Sequence, residues 1–187
     1  MITTTGTSIP RILIAGIGNI FFGDDAFGGE VARRLAQRRL PEGVRVVDFG
    51  IRGLELTYTL LDPYEAVILV DAVPRGGRVG TVYVLEPEVS AAAANGVVVE
   101  PHSMDPVKVL RMARELGSTI ERVLLVGCEP TPAADDEMQM EMSEPVQAAV
   151  EEAITLIESL VTQLLANKCA SLDFAQGRSS AEKSLGT

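Results

Sequence analysis

Few side chains here could do chemistry, and they lie far apart in the chain. They are the adjacent Asp24 and Asp25, then Asp71, the single histidine His102, and Cys128. Two carboxylates and an imidazole suit a divalent metal of the zinc type, or the activation of water by a general base. Three protein ligands with one open position is the usual catalytic arrangement for such a metal. The separations, 46 residues from Asp25 to Asp71 and 31 from Asp71 to His102, match no local metal motif. A nucleophilic triad fares worse. It would have to use His102, the chain has no G-x-S-x-G, and Cys128 ends an apolar segment that suits a buried, inert thiol.

The acids at 24 and 25 follow a glycine-rich loop, Gly16-Ile17-Gly18-Asn19-Ile20-Phe21-Phe22-Gly23. A dinucleotide fingerprint needs a third glycine where Phe21 stands. A phosphate would also want the start of the next helix free of carboxylates. Nucleotide binding is therefore the weaker reading. One of the two aspartates can cap that helix, which leaves the other free to point out from the strand end.

The elements that must carry these residues alternate between strand and helix. Arg11–Ile17 is a short β-branched run, as in a buried strand. The spacing of Phe27, Val31 and Leu35 predicts a helix from about Asp25 to Leu40, with Pro41 just beyond it. Val44–Phe49 reads as a strand, Gly53–Leu61 as a short helix, and Ala66–Asp71 as a third, fully apolar strand. Thr81–Glu86 follows after a Gly- and Pro-rich link too short for a parallel crossover, so it should run antiparallel to the third strand. Val97–Glu100 could add a short strand. Asp105, Pro106 and Gly117 frame another helix, Arg122–Cys128 is a buried strand, and an apolar stripe predicts a last helix over about 143–166. The expected fold is a three-layer α/β/α sandwich around a mixed, mostly parallel sheet. Sites in such sheets form beyond the carboxyl ends of parallel strands, which brings Asp25 and Asp71 to one edge. His102 would join them if the helix after it packs back on the same side.

Composition narrows the function classes. The chain has 187 residues, enough for one domain, and a net charge of −10, which disfavours binding to nucleic acid. Arg33, Arg34, Arg38 and Arg39 form the one basic cluster, read as a solvated helix face or a patch for an acidic partner. Cys128 and Cys169 have no metal-site spacing and are not expected to pair. The N-terminus lacks the pattern of a signal peptide, and no apolar run reaches the ~18 residues of a membrane span, so a cytoplasmic protein with no membrane partner is expected. Residues 1–10 read as a flexible arm, 11–166 as a single catalytic domain, and 167–187 as a disordered tail.

Taken in order, several of these segments resemble the maturation endopeptidases of NiFe hydrogenases. The matching pieces are Ile14–Asn19 with Gly23-Asp24-Asp25, Asp48–Glu55, Ile68–Val73, Gly80-Thr81-Val82, Pro101-His102-Ser103 and Leu125–Pro130. The resemblance spans about residues 11–166. It implies a five-stranded twisted sheet. It implies that the family's metal-contacting acid falls on Asp25, its second acid on Asp71 and its histidine on His102, as catalytic residues and metal ligands. It implies a substrate-recognition loop at Gly50, Ile51, Arg52 and Gly53. Arg52 stands where some relatives have a small residue; it can orient a peptide carbonyl or carboxylate, or pair with Asp25 or Asp71. The implied activity is removal of the C-terminal extension from a nickel-loaded hydrogenase large-subunit precursor. The implied metal is a divalent ion, nickel carried by that substrate, and no organic cofactor is implied. The alternative is a non-catalytic, nickel-sensing chaperone of the same precursor.

Overall fold

The structure, a computed structural model, describes residues 12–87, 105–120, 122–132 and 141–182, with side chains in the last helix described as far as residue 166. Val97–Glu100 and His102 lie outside the described residues.

Five strands form one sheet: β1 (Ile12–Ile17), β2 (Val44–Gly50), β3 (Ala66–Ala72), β4 (Val82–Leu85) and β5 (Arg122–Cys128). Their spatial order is β2-β1-β3-β5-β4. The first four in that order are parallel, and β4 closes one edge antiparallel to β5. The short link after β3 sets the direction of β4, as expected. Its neighbour, however, is β5 and not β3, because link length constrains direction and not strand order.

Helices α1 (Phe27–Leu35) and α4 (Glu144–Glu182) cover one face; α2 (Gly53–Thr59) and α3 (Pro106–Glu115) cover the other. The alternation of side chains along β1 supplies both cores. Ile12 and Ile14 pack with Phe27, Val31 and Val150, whereas Leu13, Ala15 and Ile17 pack with Phe49, Leu56 and Leu110. Three layers follow from strands that are apolar on both faces.

Two helix limits differ from expectation. The first helix ends at Leu35, and Gln37 and Arg38 donate to carbonyls only three residues back, a tighter turn than the α-helix. Leu40 still packs against the core, but from the segment beyond the helix rather than from a continued α-helix. At its start, Gly23–Ala26 forms a single 3-10 turn. The last helix runs to Glu182, beyond the Ala166 at which its apolar stripe gives out. The arginine cluster is neither idle nor a free patch. Arg33 and Arg34 pair with Glu30, while Arg34 and Arg38 reach Glu151 and Glu158 on α4. These exposed pairs lace α1 to α4, each with a small contribution.

Candidate active site

The chain leaves β1 on one side to form β2 and returns on the other to form β3. The order therefore reverses between β1 and β3, and a crevice opens beyond their carboxyl ends. Two glycines make the approach to this point close. A Cβ added to Gly28 would lie 2.2 Å from the carbonyl oxygens of both Ile17 and Val70, and one on Gly16 would lie 2.4 Å from that of Gly28. Only glycine lets the first turn of α1 rest directly on these two strand ends. The preceding loop folds back just as closely: at Gly18, with φ of +120°, an added Cβ would sit 1.9 Å from the Asp25 carbonyl oxygen.

This backbone carries Asp25 to the end of β3, where Asp71 sits one residue inside the strand terminus. Asp25 accepts a 2.6 Å hydrogen bond from the Asn19 amide, and its own amide donates to the Phe22 carbonyl. Burial pushes the Asp25 carboxyl above its ordinary range, against that single amide. Asp71 is 7% exposed. Burial, then the charge of Asp25, pushes its carboxyl up to about 7; the Ala72 amide opposes this and Asp105 adds to it. The structure thus brings together two of the three residues picked out from the sequence, while His102 is outside the described residues.

Neither aspartate caps the helix, contrary to the reading of one of them as a cap. Asp24 instead bridges distant segments. Its carboxylate accepts from the Thr131 amide at 2.8 Å, the Ser143 amide at 2.6 Å and the Ser143 hydroxyl at 3.0 Å. Burial works against its ionisation, but these donors outweigh burial and hold the carboxyl below its ordinary range. Glu129, just past β5, is a second carboxylate of this kind. It is buried and accepts from the amides of Arg75 and Gly76, and with Gly77 these hold its carboxyl low despite burial. Neither clamp has a local signature, since the partners lie far away along the chain.

The glycine loop after β2 adjoins the site. Gly50 adopts φ of +54° and its carbonyl accepts from the Gly18 amide at 3.2 Å, tying the loops after β1 and β2 together. Arg52 turns away from the acids. Its guanidinium donates to the carbonyls of Phe49 and Asp48 and pairs with Glu55 at 2.7 Å, rather than with Asp25 or Asp71. Its role is to brace the start of α2. Cys128 is fully buried and its thiol is pushed up to about 12, chiefly by burial, which removes it as a nucleophile. Among the described residues no three His, Cys, Asp or Glu side chains are grouped to hold a metal ion.

A family model described as hydrogenase maturation protease matches residues 30–160, including β3 with Asp71. The chain belongs to the hydrogenase maturation protease family. Among its relatives, the hydrogenase 2 maturation protease of Escherichia coli K12 is 31% identical over 146 residues, covering 77% of this chain and 86% of that one. The hydrogenase expression/formation protein HupM of Azotobacter chroococcum is 33% identical over 153 residues, covering 81% of this chain and 71% of its own length. Among solved structures, the maturating endopeptidase HybD of E. coli superposes with a TM-score of 0.68 at 28% identity, over 82% of this chain and 93% of that one. As a member of this family the protein is a hydrolase, an endopeptidase. The family match begins just after Asp25, so the first acid rests on the geometry of the β1–β3 crevice. Among the described residues no helix is long and apolar enough to cross a membrane.

Proposed function

We propose that this hydrogenase maturation protease removes the C-terminal extension of a nickel-loaded hydrogenase large-subunit precursor, using Asp25, Asp71 and His102. The observation that carries the reading is the juxtaposition of two carboxyls at the β1–β3 crevice, where the charge of Asp25 bears on the buried Asp71. In the proposed reaction one carboxylate of the pair takes a proton from water as its oxygen attacks the scissile carbonyl carbon. The same carboxyl then protonates the departing amide nitrogen as the C–N bond breaks. Asp71 suits this work because its carboxyl titrates close to neutral pH.

The donor set also fits a divalent ion brought by the substrate. Two neighbouring carboxyls, both pushed up by burial and Asp71 also by the charge of Asp25, are relieved by a cation, and oxygen with one imidazole, without thiolate, makes a modest site suited to transient contact. Asp25, Asp71 and His102 would meet that nickel, whose charge would polarise the carbonyl under attack. His102 precedes by three residues Asp105, whose charge bears on Asp71. The Gly50–Gly53 loop, tied to the loop after β1 by the Gly18–Gly50 hydrogen bond, would steer the precursor through Gly50, Ile51 and Gly53, with Arg52 bracing the loop. The cytoplasm is the compartment this reading requires of the reaction.

The test is mass spectrometry of the nickel-loaded precursor incubated with wild type, Asp25→Asn, Asp71→Asn and His102→Ala. The expected result is clean shortening by wild type and a loss of roughly 100-fold or more in each variant, as for loss of a general base. Wild-type rates in all three would sink the assignment. Tight binding with no shortening by wild type would favour the chaperone reading instead.

A further inference from the structure

The loop that positions Asp25 also lifts three consecutive apolar side chains into solvent. Ile20, Phe21 and Phe22 are each more than half exposed. Their exposure is built in and does not come from a frayed loop. The Asn19 side-chain carbonyl accepts from the Phe21 amide, the Phe22 amide donates to the Asn19 carbonyl, and the Asp25 amide donates to the Phe22 carbonyl. Across the Gly18–Gly50 hydrogen bond lie Ile51 and, at the start of α2, Leu54, both also more than half exposed. Of the nearby charges, Asp24 is engaged by Thr131 and Ser143, Asp25 by Asn19, and the exposed Arg52 and Glu55 neutralise one another as an ion pair beside Ile51 and Leu54. In a chain with a net charge of −10, five exposed apolar side chains beside the catalytic crevice are costly to leave in water unless something covers them in use.

We propose that Ile20, Phe21 and Phe22, continued by Ile51 and Leu54, form an apolar docking surface for the folded body of the protein substrate, outside the segment that is cut. The occupant follows from continuity with the endopeptidase site. The peptide bond must reach Asp25, and the aromatic side chains stand on the same short loop, three and four residues before it. A substrate delivered as a folded protein covers this edge when its tail enters the crevice. Rigid, preformed aromatic anchors at such an edge supply much of the binding free energy of a protein contact. The surface extends recognition beyond the Gly50–Gly53 loop and would favour folded precursor over a free peptide of the same tail sequence.

This inference rests on the proposed precursor processing, and the test separates the two. Steady-state cleavage of the nickel-loaded large-subunit precursor would be compared for wild type, the double variant Phe21→Ser/Phe22→Ser, and Leu54→Ser on a different element. Melting curves would accompany them to confirm intact folds, as expected for exposed positions. The expected result is a KM raised roughly tenfold or more in the double variant and less in Leu54→Ser, with kcat within about twofold of wild type. An unchanged KM in both, while wild type still cuts the precursor, would overturn the docking surface and leave the processing activity standing. If wild type fails to cut the precursor at all, the processing reading falls and the docking surface with it. Sedimentation showing a wild-type dimer that the double variant abolishes, with KM unmoved, would assign the edge to a second copy and also overturn the inference.

Discussion

Four acids meet at the carboxyl edge of this sheet, and they divide into two regions. On the side of β5 and α4, Asp24 and Glu129 are each held by several donors, and their carboxyls are kept low. At the β1–β3 crevice, Asp25 has one amide donor, Asp71 relies on the Ala72 amide, and both carboxyls are pushed up. All four are carboxyls at one edge, buried or half-buried. What differs is the number of hydrogens aimed at each carboxylate and the presence of a second negative charge. Asp24 and Asp25 are neighbours in sequence, so a rotation of one residue within a 3-10 turn separates a structural clasp from a reactive group.

The contrast can be broken most strongly at Asp71. Its folded carboxyl titrates at about 7, against roughly 3.9 in an unfolded chain. The native state therefore holds this proton more tightly, and ionising Asp71 costs stability progressively as pH rises from about 4 to about 7. Asp71→Asn cannot ionise and can still accept from the Ala72 amide. It should be more stable than wild type at pH 8, by on the order of 3 kcal/mol, and nearly equal to it at pH 4, as read from urea midpoints at each pH. A gap that does not change with pH would remove Asp71 from the strained pair.

Asp24 should show the opposite slope. Its folded carboxyl lies below the unfolded value, so its contribution is present above about pH 4 and fades as pH falls through the folded value. Asp24→Ala leaves the Thr131 and Ser143 donors unpaired and should cost about 1 to 2 kcal/mol at neutral pH, since the site is partly open to water. The loss should shrink in acid in the same urea series. An Asp24→Ala variant as stable as wild type at pH 7 would show that the clasp is idle.

Glu129→Gln sharpens the comparison with the smallest effect. The amide keeps an acceptor for the amides of residues 75 and 76 but loses the charge that three N–H groups favour. A modest fall in melting temperature at neutral pH is expected, with cleavage of the precursor nearly intact. A loss of cleavage comparable to that of Asp71→Asn would move Glu129 from the structural to the reactive side.

Much of this was legible before the structure. Asp71 ends an apolar strand and Asp25 follows a glycine-rich turn after another, and the rule that open α/β sheets bind at strand ends joins them. The mixed sheet followed from a short link after β3. What stayed hidden depends on long-range pairing. No local pattern says that Asp24 would find Thr131 and Ser143, more than 100 residues away, or that Glu129 would gather the amides after β3. The capping reading of the aspartates failed because capping is a local rule, and tertiary donors outcompeted it. Arg52 looked free to meet the acids, but Glu55 and two backbone carbonyls lie closer along its own turn.

The Asp24 clasp has a further consequence for how this chain could vary. One carboxylate grips residue 131 with one oxygen and residue 143 with both, so the two ends of the intervening stretch are fixed independently of what lies between them. Doubling the length of such a closed stretch costs only about 0.6 kcal/mol in closure entropy. The Asp24 clasp thus sets the separation of Thr131 and Ser143 in the same turn that carries Asp25, so a change of chain length between these two residues is met by closure entropy rather than by that turn.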